Sequence, residues 1–205
     1  MTLPDTRLGK LREGWRRFKR DGNPGDFAVL KADAFSSEPS AEVAEKLAQF
    51  AGLPPEIDLA ALARLSDDTF GSAYARFMTE NALKPFTVSA DLAPIAARNV
   101  MAVRYATTHD MFHVLLGFDT SWAGEMGVLS FAASQNYHRQ FRIGRAIATV
   151  LYPILSPLTL RSIMRAKRRG SALGRQGVFL LAVPLETFWE TPLVSLRQQL
   201  KLAGS

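Results

Sequence analysis

The sequence predicts an all-α protein, a single-domain helical bundle whose long central helix carries a metal motif. Three observations point there. Apolar residues recur at spacings of three and four in nearly every periodic segment, the repeat of one helix face. Ser, Thr, Asp and Asn stand where those segments begin, and Gly and Pro where they end. Only Gln176 to Val183 is apolar without that period, and it reads as extended.

Taken in order, Leu8, Leu11, Trp15 and Phe18 form the apolar face of a first amphipathic helix over Leu8–Arg20. Asn23-Pro24-Gly25 is a turn, and a second short helix follows to about Phe35. Ser40 caps a third helix through Val43, Leu47 and Phe50, which Gly52 and Pro54-Pro55 stop. Ser66-Asp67-Asp68 opens a helix with Phe70, Tyr74, Phe77 and Met78 on one face, ended by Asn81 and Pro85. A long helix starts near Asp91 to Pro94 and runs to Gly117. Asp119-Thr120-Ser121 offers the cap of the next, from about Trp122. Two more cover Arg139 to about Leu155 and Leu158 to about Ala172, with Pro153 and Pro157 marking the break. Pro192 begins a last helix through Leu196 and Leu200. The whole, 1–205, reads as one domain, with 1–38 as a loosely packed N-terminal helical extension.

Composition narrows the chemistry. There is no cysteine, which removes disulfides, thiolate metal sites, iron–sulfur clusters and cysteine nucleophiles. The N-terminus is basic but has no apolar run of the kind a secretory signal needs. The formal net charge is +6 and unevenly spread. From Met126 to Leu185 there is no Asp or Glu, while Arg139 to Arg175 holds nine basic residues. A second basic cluster comprises Arg7, Lys10, Arg12, Arg16, Arg17, Lys19 and Arg20. No nucleic-acid motif accompanies this charge, and the basics alternate with Leu and Ile, so no nucleic acid is expected. Ile143 to Leu160 is mostly apolar and flanked by Arg139, Arg142, Arg161 and Arg165. Pro153, Pro157 and Arg145 argue against a clean membrane span. An interfacial hairpin or a tunnel wall fits the segment, which points to a membrane surface as partner; an ordinary core helix with its arginines in water is the other reading.

The motif that carries chemistry is His109-Asp110-Met111-Phe112-His113, followed by eleven residues and Glu125. Residues four apart on a helix share a face, so His109 and His113 can aim at one point. Asp110 lies at the edge of that face. Ala102, Tyr105, Ala106, Phe112 and Leu116 surround the histidines with apolar surface. Buried imidazoles need partners, and a shared divalent cation held by two histidines and the carboxylates of Asp110 and Glu125 supplies one. Core histidines hydrogen-bonded to those acids are the other reading. This nitrogen and oxygen donor set is compatible with zinc, iron(II) or manganese alike. A zinc protease needs Glu directly after the first His, and Asp110 stands there. A metal phosphohydrolase needs a further histidine upstream of His109, and there is none. No general acid or base is identified; Tyr105, Asp119 and His138 are the nearby candidates.

Arg104-Tyr105-Ala106-Thr107-Thr108-His109-Asp110-Met111-Phe112-His113, then Leu115-Leu116-Gly117 and Gly124-Glu125, resembles the coenzyme Q (ubiquinone) biosynthesis protein 4 family. The family signature is His-Asp-x-x-His, eleven residues, then Glu. Thr69 to Tyr74 with Phe77, Met78 and Asn81 resembles its upstream Gly-x-x-Tyr helix. Trp189-Glu190 with Leu196, Arg197 and Leu200 resembles its C-terminal helix, so the similarity spans about Leu59 to Leu200. The resemblance implies an all-helical protein holding a divalent metal, usually taken as zinc, on His109, Asp110, His113 and Glu125. It implies a place in ubiquinone synthesis at a membrane, as a metal-dependent enzyme removing the ring carboxylate of a prenylated hydroxybenzoate oxidatively at carbon 1. Its alternative is a non-catalytic scaffold that binds isoprenoid lipids and organises the biosynthetic complex. Implied partners are a prenylated quinone precursor, the membrane surface, other quinone-biosynthesis enzymes and a second copy as a homodimer. The implied location is cytoplasmic and peripheral to a membrane, the inner mitochondrial membrane in a eukaryote. Ala132 departs from the pattern, because many relatives carry a second Glu there.

Overall fold

The computed structural model describes residues 5–22, 24–35 and 39–203. Eleven α-helices and no strand occur among them. They are α1 (Arg7–Asp21), α2 (Pro24–Phe35), α3 (Ala41–Leu47), α4 (Leu59–Leu62), α5 (Phe70–Glu80), α6 (Ala93–Arg98), α7 (Val100–Leu116), α8 (Trp122–Ser134), α9 (Arg139–Leu155), α10 (Leu160–Gln176) and α11 (Leu193–Gln199). Asn23 of the expected first turn lies outside the described residues. The helices fall into two compact units, each drawn from two stretches of chain. One unit takes residues 1–57 and 84–108; the other takes 58–83 and 109–205. α7 gives its first half to one and its second half to the other.

In the first unit, α1 is capped by Thr6, whose hydroxyl accepts from the Gly9 amide, and it ends at Gly22 in the left-handed region. Its apolar core joins Val29 and Leu30 to Leu92, Ile95, Ala96 and Val103. A polar core lies beside it. Arg17 is buried and donates to Glu13, Asp26 and Asp91, while Asp26 accepts from the amide and hydroxyl of Ser89. Asp33 binds Lys10, Arg98 and the Asn99 side chain. These contacts explain one departure from expectation. The predicted long helix is broken at Asn99, whose amide donates to Asp33 at 2.9 Å and back to the Ile95 carbonyl at 2.9 Å. A side chain that bonds its own helix backbone in this way competes with continued winding.

In the second unit, α8 lies against α10 at backbone contact. A side chain at Gly170 would collide with the Gly127 carbonyl, and one at Gly174 would stand 2.6 Å from the Phe131 carbonyl oxygen. The two glycines, four apart, form a smooth groove along α10. Met126, Ala148 and Ile163 close a small core between α8, α9 and α10. The start of α5 is tied to the approach to α11: the Phe70 and Gly71 amides donate to the Thr191 and Trp189 carbonyls. Trp189 stacks on Phe70 at 5.0 Å. Pro153 rides inside α9, and the break falls at Ser156, just before Pro157. α10 continues to Gln176, and the stretch expected to be extended instead holds a 3-10 turn at Leu180–Ala182. The Leu180 amide of that turn donates to Gln135 Oε1.

The α8–α10 contact yields the first prediction. Gly170→Ala forces the two backbones apart and lowers stability by about 1–3 kcal/mol, the usual cost of overpacking. Denaturant unfolding followed by circular dichroism measures it. Wild-type stability in that variant would show that the helices are not in backbone contact.

Candidate metal centre

The second half of α7 presents the histidines, and its end is held firmly. Gly117 takes a left-handed φ of 64°, letting its amide donate to Val114 and the Phe118 amide to His113. This is the Schellman closure, which satisfies carbonyls the helix cannot. Two arginines satisfy the rest. Arg197 from α11 donates to the Leu115 and Val114 carbonyls at 2.9 and 2.8 Å. Arg169 from α10 donates to Leu116 and Gly117 at 2.7 and 3.2 Å. Positive charge at the negative end of a helix is favourable in itself.

The chain then reverses. Asp119 accepts from the amide and hydroxyl of Ser121, and Ser121 caps α8 by accepting from the Gly124 amide. Any side chain at Gly124 would strike the Asp119 carbonyl, so the tight turn requires glycine there. Gly127 accommodates the Phe118 ring and the close pass of α10. Glu125 follows in the first turn of α8, where the helix dipole favours a carboxylate.

The result is a convergence of three donors. His109 Nε2 and His113 Nε2 lie 3.3 Å apart. The Glu125 carboxylate spans both, with one oxygen 3.5 Å from His109 Nε2 and the other 3.4 Å from His113 Nε2. Donors about 2.0–2.1 Å from a tetrahedral cation stand about 3.3 Å from one another, so these separations suit one. A proton shared between the imidazoles accounts less well for the group, because Glu125 is then beyond a good hydrogen-bond distance from both rings. His113 is closed off, its side chain 1% exposed, while His109 and Glu125 are 31% and 35% exposed. The cluster is thus sealed on one side and open on the other.

Charge follows the geometry. Burial of Glu125 disfavours its anion, but polar contacts with His109 and His113 and their positive charge prevail and hold its pKa down to about 2. Burial likewise disfavours charge on His113, yet Glu125 and then Asp110 raise its pKa above the ordinary histidine value. Asp110 stands outside the triad, since its side chain leaves the helix about 100° round from His109. Burial raises its pKa, the two imidazoles oppose that rise, and Glu125 adds to it.

Of the other candidates, His138 caps α9 by accepting from the Gln140 amide, Asp119 is spent in the turn, and Tyr105 belongs to the first unit. Residues that sequence reasoning did not assign a role are Phe77, stacked on His113 at 5.6 Å, and the two capping arginines. A signal for Arg169 was present. Basic residues in an acid-free run must find acceptors other than carboxylates, and backbone carbonyls are the commonest.

Comparison with known proteins agrees with the signature. Residues 54–204 match the model of the family described as coenzyme Q (ubiquinone) biosynthesis protein Coq4. The mitochondrial ubiquinone biosynthesis protein COQ4 homologue of Danio rerio is 33% identical over 155 residues, covering 71% of this chain and 54% of that protein. The Nematostella vectensis homologue is 32% identical, covering 71% of each. The human homologue is 28% identical, covering 72% of this chain and 56% of its own length. The chain thus spans about half the length of several curated relatives it matches. A crystal structure from Nostoc punctiforme, provisionally named a ubiquinone biosynthesis protein, superposes with a TM-score of 0.67 at 23% identity, covering 98% of both chains, and supports the fold.

The lowered pKa of Glu125 gives a signed prediction for the metal-free protein. A carboxylate with a depressed folded value contributes stability above its ordinary value of 4.5 and loses it as pH falls toward about 2. His113 acts oppositely, stabilising below its ordinary 6.5 and losing that contribution as pH rises through its raised value. Chemical denaturation in chelator from pH 7 to pH 2 should therefore show an acid loss of stability that Glu125→Gln reduces, the ion-paired Asp33 and Asp91 supplying the remainder. An identical acid limb in the variant would disprove the coupling.

Proposed function

The chain belongs to the coenzyme Q (ubiquinone) biosynthesis protein Coq4 family, and from that premise we propose that it acts in ubiquinone biosynthesis on a prenylated hydroxybenzoate at a membrane surface. The reaction breaks the bond from carbon 1 to the ring carboxylate, releases carbon dioxide and puts a hydroxyl from water on carbon 1, with one proton released and two electrons passing to oxygen or another acceptor. The observation that carries this reading is the one-sided exposure of the donor cluster. Structural zinc sites are closed by protein ligands, whereas catalytic ones leave a position for substrate.

His109, His113 and Glu125 would hold the cation and leave a position for substrate, and Asp110, the other acid of the signature, would reach it only by turning its carboxylate inward. A divalent cation, zinc first with iron or manganese as alternatives, supplies Lewis acidity toward the carboxylate and ring oxygens of the substrate when bound. The protein's own part is positional. Phe77 fixes the ring plane of His113, Arg169 and Arg197 hold the end of α7, and the Asp119–Ser121 turn sets the reach of Glu125. Ala132 is fully buried in α8 and offers the centre no further carboxylate.

A second reading is favoured by α9, whose apolar residues face outward. In it the protein binds isoprenoid lipid and organises other quinone-biosynthesis enzymes, as a monomer or homodimer, while the metal ties α7 to α8. Its location in either case is peripheral to a membrane, the inner mitochondrial membrane in a eukaryote and the cytoplasmic face otherwise.

His109→Ala and Glu125→Ala are each expected to lose bound metal and, together with it, carbon dioxide release from a prenylated hydroxybenzoate, by at least tenfold. Elemental analysis and a labelled-carboxylate assay read the two losses. Full turnover by a metal-free variant ends the enzymatic reading, and loss of stability on chelation with no turnover in the wild type favours the organiser.

A further inference from the structure

α9 is amphipathic the wrong way round for a core helix. Its one fully buried apolar residue is Ala148, which packs against Met126 and Ile163. Its branched aliphatic residues point outward, Ile143 53% exposed, Ile147 59%, Val150 65% and Ile154 69%, while Phe141 and Tyr152 are half-buried against Tyr137 and Trp122. Leu151 and Leu155 flank them at 43% and 53%. Spacings of four, three and four make this one continuous ridge along the helix. It runs into the bend at Ser156, where α9 and the segment Pro157–Gln176 meet at 116°. Leu158, at the apex, is 100% exposed. No single helix among the described residues is long and apolar enough to cross a membrane.

Charge identifies what the ridge meets. Arg139 and Arg142 are exposed at one end of it, and Arg161, Arg165 and Arg168 are exposed just past the apex. No acidic residue occurs from Met126 to Leu185 to neutralise them. Two copies packed ridge to ridge would bring these like charges together, whereas an anionic surface complements them. Apolar side chains bordered by arginine are the composition of a helix that lies in the boundary between headgroups and acyl chains.

We propose that α9 and the Ser156 bend form a wedge that enters one leaflet of an anionic bilayer, Leu158 leading, with the five arginines on lipid headgroups. It rests on the proposed action on a prenylated substrate, and it names the surface through which such a substrate is reached. Attraction of basic residues to anionic lipid and burial of the ridge act together, so both charge and apolar contact are required.

The test uses the full chain and vesicles of phosphatidylcholine alone or with about one-third phosphatidylglycerol, a fraction chosen to give a strongly negative surface. The wild type is expected to float with the anionic vesicles at least tenfold more than with neutral ones, and to be released by salt. Ile147→Ser/Ile154→Ser/Leu158→Ser and, separately, Arg142→Gln/Arg161→Gln should each cut binding at least tenfold while keeping wild-type circular dichroism and metal content. Unchanged flotation of either variant overturns the proposal. So does a wild type that is dimeric in sedimentation and ignores vesicles, with the triple variant monomeric, which assigns the ridge to a second copy. Protection of the ridge by a soluble prenyl diphosphate, with no flotation, assigns it to the substrate chain and also overturns the wedge. Carbon dioxide release in detergent is read in parallel: its absence with intact flotation condemns the reaction and spares the membrane surface.

Discussion

Two imidazole nitrogens facing each other at 3.3 Å, with a carboxylate laid across both, define this protein. Lone pairs aimed at one another repel, and a single proton serves two of the three partners. A divalent cation satisfies all three at their observed spacing. Much of the surrounding second unit serves to hold that spacing. Arg169 and Arg197 fasten the carbonyls at the end of α7, Gly117 closes it, and Gly124 allows the turn that brings Glu125 back. The arginines come from α10 and α11, so the C-terminal helices are bound to the centre although they contribute no ligand.

The fold was legible in the sequence wherever a local signal sufficed. Ser40 and Ser121 sit at helix starts and make the capping bonds their residue types favour, whereas α5 is capped by Thr69 and not by the expected Ser66-Asp67-Asp68. The i, i+4 histidines and the spacing to Glu125 proclaimed the triad, because helix geometry alone decides whether two rings four apart meet. What was not legible depends on partners remote in sequence. The break at Asn99 needs Asp33, which lies 66 residues away. The arginine caps need helices some 52 to 83 residues downstream of their carbonyls. Asp110 shows the limit differently. Its place in the motif groups it with the ligands, but its bond leaves the helix in another direction, and the three donors converge without it.

Glycine placement divides along the same line. Gly124 and Gly127 look alike in the sequence, two small residues three apart at the start of α8. In the fold they act separately, since Gly124 admits the Asp119 carbonyl while Gly127 admits Phe118 and the backbone of α10. The signal that distinguishes them is Gly170 with Gly174, a second small-residue stripe that supplies the partner groove. Polarity divides the molecule in a related way. In the first unit Arg17 and Asp33 sit in networks of opposite charge. In the stretch from Met126 in α8 through α10 no acid is present, so arginines there bond backbone carbonyls, as Arg169 does, or serine hydroxyls, as Arg145 does, or remain at the surface. The outward ridge of α9 belongs to that same stretch, which is why its charge and its apolar face act as one feature.

The central claim is that His109, His113 and Glu125 share one cation. X-ray absorption at the edge of the bound metal, on the purified full chain, tests it most directly. The account predicts two imidazole nitrogens and one or two carboxylate oxygens at about 2.0–2.2 Å, with the multiple-scattering signature of one imidazole lost in His113→Ala. A spectrum of oxygen donors alone, unchanged by that substitution, would contradict it.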